Sequence, residues 1–172
     1  MSEQDPQVPA QEPPATGAPP PPAAQPAWTP QGPSGPRAGF GRRLVAALVD
    51  GLVLTGGFLV LFGIGAAISE GLGLFMVFVA IAGALAYYIV LEGGPTGQTL
   101  GKRALNIRVV DQNTGGPIGY GRGAIRLVAR YLSQIPCYLG YLWMLWDKEK
   151  QTWHDKLSTS VVVPVEYYPV TR

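Results

Sequence analysis

The sequence predicts an all-α membrane protein with two transmembrane helices, and three observations carry that prediction. Two long apolar runs, residues 44–68 and 71–91, hold one charge between them, Asp50. Charged residues make up only 14% of the chain and hydrophobic residues 47%, whereas a typical soluble domain carries roughly 25% charged residues. All thirteen Lys and Arg lie at Arg37 or beyond, and none falls between Leu44 and Gly101. A net charge of +2 is too small to point to nucleic acid. The 172 residues fit one domain.

Residues 1–36 hold twelve of the seventeen prolines, with Gln, Ala, Ser and Gly filling most of the rest. Such a composition buries too little apolar surface to offset its ordering entropy, so a disordered tail with polyproline II character is expected. Its PxxP spacings, Pro6 to Pro9 and Pro33 to Pro36, arise by chance at this proline density, which favours a flexible tether over a docking motif. Trp28 is its one large apolar side chain. No basic segment precedes an early apolar core, so the first run is expected to act as an uncleaved signal anchor.

The first run, at about 1.5 Å per residue, is long enough to exceed a hydrocarbon core of roughly 30 Å. The turn Ser69-Glu70-Gly71 is short and forces the two helices to be antiparallel neighbours. Small residues at four-residue spacing let helices approach closely in lipid, and Ala47, Gly51 and Thr55 on the first, with Ala80 and Ala84 on the second, are the expected contact stripes. Tyr87 and Tyr88 sit where aromatic rings suit the headgroup level.

Beyond the second run, Gly93 to Arg103 is a turn-rich basic loop. It lacks the phosphate-binding GxxxxGK[ST] spacing: counted from Gly97, a glycine is needed at position 102, where Lys102 stands. Leu105, Ile107 and Val109 alternate with Asn106 and Arg108, which is strand periodicity. Ser160 to Pro164 is a second strand-like run, and the two can pair if they lie on one side of the membrane. Between them, Arg122, Arg126 and Arg130 recur every fourth residue among apolar positions. This reads as a third, amphipathic segment with its basic stripe toward lipid headgroups, re-entrant or spanning, and broken at Pro136. Trp143, Trp146 and Trp153 are expected interface anchors.

Basic residues favour the cytoplasmic side. Arg37, Arg42 and Arg43, then Lys102 to Arg126, then Lys148, Lys150 and Lys156 can all be cytoplasmic only if the chain crosses an even number of times. That places the N-terminus and the strand pair in the cytoplasm.

Arg43-x-x-Ala46-x-x-x-Asp50, at the mouth of the first run, resembles the RDD family of bacterial membrane proteins. Gly97-Gln-Thr-Leu-Gly-Lys-Arg to Asp111, Pro117 to Arg126, and Gln151-Thr-Trp-His-Asp155 to Val163 are similar to that family's later blocks, in the same order. The resemblance implies a membrane domain over residues 37–165, a short tail over 166–172, and a bacterial inner-membrane location. It also implies a motif of one Arg and two Asp: Arg43, Asp50 and Asp155, with Asp111 the less favoured choice for the second Asp.

Asp50 is the residue that demands explanation. An ionised Asp near the centre of a spanning helix costs about 2.5–3.5 kcal/mol. Arg43, Arg126 and Arg130 are its expected ion-pair partners. The readings are a structural lock between helices, proton or cation handling, and a hydrated surface group. Asp155 is expected to cap a turn or pair with an Arg. His154 is the only histidine, and with Cys137 the only cysteine, neither a metal site nor a nucleophile triad is supported. The expected role is therefore a non-enzymatic structural or partner-binding module without a cofactor. It would sit in the lipid bilayer as a homo-oligomer or beside another membrane protein. An oligomeric cation/proton antiporter titrating at Asp50 is the alternative.

Overall fold

The computed structural model describes residues 35–169. The predicted tail over residues 1–36 lies outside them, apart from its last two residues. Helix α1 runs over Phe40–Ile68 and α2 over Glu70–Gly93, separated by Ser69 alone. Ser69 takes extended backbone, and its side chain accepts from Leu72 N at 3.2 Å, so one residue ends the first helix and caps the second. Both helices are long and apolar enough to cross a membrane, and nearly all their apolar surface is uncovered.

The two helices touch through glycine, but not along the expected stripe on α1. Ala47 and Thr55 are exposed, and a Cβ on Gly51 would meet nothing. The inward face lies one position earlier, through Ala46, Asp50, Leu54, Phe58 and Gly65. Near the turn, a Cβ on Gly65 would come within 2.8 Å of Met76 Cγ, and one on Gly73 within 3.1 Å of Ala66 Cα. Asp50 explains the shift, because α1 rotates to keep its carboxylate inside. On α2, Ala80 and Ala84 do lie on the half-buried face.

Everything else packs at the end of the hairpin where α1 begins and α2 ends. Helix α3 (Leu100–Ala104) is capped by the Thr99 hydroxyl. Strand β1 (Ile107–Asp111) pairs antiparallel with β2 (Ser160–Pro164), Val109 opposite Val162. One face, with Ile107, Val109 and Val162, packs on Ala38, Ala46 and Ile118, while Val110, Val161 and Val163 meet Tyr168 on the other. The lobe therefore continues beyond Val165. Both outer edges of the pair are covered, Ala38 N donating to Val162 O and Val109 N to Gly97 O. Gly97 has φ +62, and a Cβ there would sit 2.1 Å from Val109 O.

The third segment is helix α4 (Gly119–Gln134), a turn through Pro136, and the four-residue α5 (Leu139–Leu142). Cys137 and Tyr138 take left-handed backbone and reverse the chain, laying Gly140 against Ser133. The break at Pro136 is present. At roughly 1.5 Å per residue α4 is about 24 Å long, less than a full crossing.

The orientation of α4 overturns the expected basic stripe toward headgroups. Arg126 is 1% exposed and Arg130 is largely buried, whereas Ile125, Val128, Tyr131, Leu132 and Ile135 point outward. The arginines turn inward because two buried carboxylates, Glu92 and Asp155, await them there. Tyr87 likewise turns its hydroxyl inward, to Asp50, rather than to headgroups, and the Tyr88 ring packs against Arg130. A 3-10 turn (Trp143–Leu145) and helix α6 (Trp153–Leu157) complete the lobe.

Gly101 sits where α3 meets α1, and a Cβ there would lie 2.0 Å from Ala46 O. Overpacking of this kind costs about 1–3 kcal/mol. Gly101→Ala should therefore lower the melting temperature of the detergent-solubilised protein, read by intrinsic fluorescence. Gly63→Ala, where a Cβ meets nothing, should leave it unchanged.

Candidate functional site

The lobe is held to the helical hairpin by two polar centres. In the first, Asp50 on α1 accepts from Thr99 Oγ1 at 2.6 Å, Gly101 N at 2.7 Å and Tyr87 Oη at 2.7 Å. Tyr87 Oη in turn accepts from Leu100 N at 2.8 Å. A hydrogen bond to a charged group contributes about 1.5–3 kcal/mol, so two of these match the insertion cost of the carboxylate. Thr99 thus serves twice, as cap of α3 and donor to Asp50. The expected ion pairs of Asp50 are not formed: Arg43, Arg126 and Arg130 all go elsewhere.

The second centre is an ion network. Glu92, near the end of α2 and 1% exposed, takes Lys102 Nζ at 2.5 Å, Arg130 Nη2 at 2.6 Å and Arg126 Nε at 2.9 Å. Arg126 spans to Asp155, which is fully buried and also takes Arg43. Arg43 further donates to Ala38 O and Lys150 O, and Arg130 lies 4.3 Å over the Tyr88 ring. The chain Lys102–Glu92–Arg126–Asp155–Arg43 thus ties α3, α2, α4, α6 and α1 together. Of the two candidates for the motif's second Asp, Asp155 meets Arg43. Asp111 instead binds Arg122 at the end of β1 and accepts from Asn113 N and Thr114 N.

Local sequence explains each placement. Thr152 and Asp155 form a capping box at the start of α6, which orients the Asp155 carboxylate. Burial alone would raise its pKa, but Arg126 and Arg43 override this and hold it well below the ordinary carboxylate range. Burial, with Arg126 and Arg130 nearby, pushes His154 well below its ordinary value against the pull of Asp155 and Glu92, so it is neutral. Ser133 Oγ lies 3.4 Å from its Nδ1, and the Tyr141 ring packs on it at 4.9 Å. Burial also lowers Lys102, against Glu92. Ser158 donates to His154 O, and Ser160 accepts from Arg126, so both hydroxyls are spent on structure.

A cavity of about 460 Å³ lies between the two centres. Asp50, Lys102, Arg126 and Arg130 give it a polar wall, and Phe40, Leu44, Leu142 and Met144 an apolar one. No group of three His, Cys, Asp or Glu able to hold a metal is present among the described residues.

The RDD family profile matches residues 37–159. This chain belongs to the RDD family. Arg43 and Asp50, the expected motif pair, sit in different centres, Arg43 with Asp155 and Asp50 with Tyr87 and Thr99. With the two apolar helices, membership makes this RDD protein a membrane protein. Over 86 residues the chain is 41% identical to the proline-rich antigen homolog of Mycobacterium tuberculosis, in strains CDC 1551 / Oshkosh and H37Rv, covering 48% of this chain and 36% of theirs. Over 98 residues it is 35% identical to the proline-rich antigen of Mycobacterium leprae, covering 55% of this chain and 39% of that one. The matches thus span well under half of those relatives. No solved structure matches.

Glu92, Lys102, Tyr87 and Thr99 were not among the expected site residues. Glu92 did carry a signal, as the lone carboxylate between Gly71 and Asp111. Removing one member of a buried ion cluster costs about 3–5 kcal/mol, and an exposed pair about 1 kcal/mol or less. Glu92→Gln should therefore abolish or sharply weaken folding in detergent, while Arg42→Ala, from an exposed pair with Glu166, should shift the unfolding midpoint slightly.

Acid should destabilise this RDD protein in two stages. Unfolded His154 takes up a proton near pH ~6.5 and the folded one does not, so stability falls by about 1.4 kcal/mol per pH unit below that value. Asp155 stabilises fully above the unfolded carboxyl pKa of ~3.9, and its contribution is lost as pH falls below that. Melting curves should fall between pH ~6.5 and ~5, and His154→Gln should flatten that interval alone.

Proposed function

We propose that this RDD protein is a non-enzymatic structural and partner-binding module of the bacterial inner membrane. It crosses twice, with its N-terminus and the lobe in the cytoplasm. The observation that carries this is the contrast between paired charge and unpaired apolar surface. Lys102, Glu92, Arg126, Asp155 and Arg43 are tied into one network, whereas Leu52, Leu59, Phe78 and Ile81 on the hairpin are left uncovered. The polar centres are thus spent on rigidity, and the free surface is the surface another membrane helix would use. A two-helix wall encloses no path of its own, so assembly, as a homo-oligomer or with another membrane protein, is part of the proposal.

Contacts between distant basic regions support the side assignment. Arg37 pairs with Glu149 and Arg43 with Asp155, while α3 packs on α1 and α4 on α2. These contacts favour one side for the start of α1, the loop after α2 and the C-terminal segment. Their Lys and Arg favour the cytoplasm. On this reading α4 lies in the inner leaflet with its apolar face to the acyl chains and does not cross. Asp50, held by three neutral donors and no cation, gives the antiporter reading no geometric support.

A photocrosslinker at Leu52 or Phe78 in native membranes should give discrete protein adducts, and lipid adducts alone would overturn the partner-binding reading. A reporter fused after Arg172 should read cytoplasmic. Cation-driven proton flux in proteoliposomes should match empty vesicles. Flux above that level, lost in Asp50→Asn, would refute the structural role.

A further inference from the structure

The cavity between the two polar centres has a composition that neither centre explains. Four of its lining side chains are cations, Arg43, Lys102, Arg126 and Arg130. They share two carboxylates, Glu92 and Asp155. Even with the Asp50 carboxylate counted, and His154 neutral, the cluster keeps one excess positive charge. Among the described residues, Arg130 spends only Nη2 on Glu92, leaving Nε and Nη1, and Arg126 Nη2 is also free of a protein acceptor. Unmatched donors at a low-dielectric site favour an anion.

The rest of the wall is apolar, and the cavity opens toward lipid. Leu44, Ala47 and Tyr138 line it and are themselves exposed. Leu44 and Ala47 belong to the spanning helix, so the mouth lies between α1 and the turn after α4, on surface that α1 gives to acyl chains. A soluble anion would meet this opening through hydrocarbon, whereas a lipid reaches it laterally. The volume of about 460 Å³ falls within the roughly 300–1,000 Å³ usual for small-molecule sites.

We propose that this cavity binds one anionic phospholipid of the surrounding leaflet. Its phosphate sits on Arg130 and Arg126, and one of its two acyl chains lies along Leu44 and Leu142 and out through the mouth, the other staying in the bilayer. The bound phosphate supplies the missing negative charge, so the lipid completes the ion network. The proposal does not depend on the partner-binding reading.

The test uses the full chain in detergent micelles, titrated with phosphatidylglycerol or phosphatidylcholine and read by native mass spectrometry. One phosphatidylglycerol should bind at least about tenfold more tightly than phosphatidylcholine. Arg130→Gln should lower that affinity at least about tenfold. Because Arg130→Gln also disturbs Glu92, Ala47→Trp provides a second variant: it fills the mouth, leaves every ion pair in place, and should weaken phosphatidylglycerol to the same degree with an unchanged melting curve. Millimolar inorganic phosphate should not displace the lipid. Equal binding of the two lipids, full phosphatidylglycerol binding by folded Ala47→Trp, or displacement by inorganic phosphate would each overturn the proposal.

Discussion

Glu92 sets the constraint that the rest of the structure satisfies. A carboxylate buried at the end of a spanning helix is tolerable only if cations with good geometry reach it. No single neighbour suffices, because the two oxygens must both be matched. Lys102 arrives from α3, and Arg126 and Arg130 from α4. Bringing Arg126 inside buries a cation whose far end needs its own acceptor, and Asp155 on α6 provides it. Asp155 then draws in Arg43 at the root of α1. Each burial creates the demand that the next residue meets. The lobe is therefore cooperative in its charges as much as in its packing.

Asp50 acts apart from that network. It uses neutral donors, and its partners come from α2 and from the Thr99–Gly101 segment. The short distance matters here. Gly101 N reaches the carboxylate only because α3 approaches the α1 backbone at a spot with no room for a Cβ. Similar absences let α4 lie on α2, where a Cβ on Gly93 would meet Tyr120 Cα at 2.8 Å and one on Gly123 would meet Ile89 O at 3.0 Å. Glycine thus sets the spacing at which the charged side chains can meet.

The elements were legible in the sequence because their signals are local. Run length marks α1 and α2, alternation marks β1, and Pro136 marks the break. The partners were not legible, because pairing depends on which way each helix turns. The four-residue arginine rhythm of α4 was read as a surface stripe, the usual meaning of a basic amphipathic helix beside a membrane. The same rhythm serves equally to line a buried acidic groove. Only the lone Glu92 at the end of an apolar run could have separated the two meanings. For Asp50, charge alone offered Arg43, Arg126 and Arg130, yet those arginines go to Asp155 and Glu92, and hydroxyl and amide donors take their place.

The inverted α4 also says what the fold uses as its solvent. In water, a helix with Arg126 and Arg130 inside and Ile125, Val128, Leu132 and Ile135 outside would forgo apolar burial on one face and lose charge solvation on the other. Beside a bilayer both terms change sign or shrink. The outward residues gain an apolar environment, and the arginines exchange unfavourable lipid for carboxylates. With α4 in the inner leaflet, as proposed, the lipid around the hairpin it packs on favours this orientation. The lobe and the spans are thus one folding problem, and the membrane is one of its structural components.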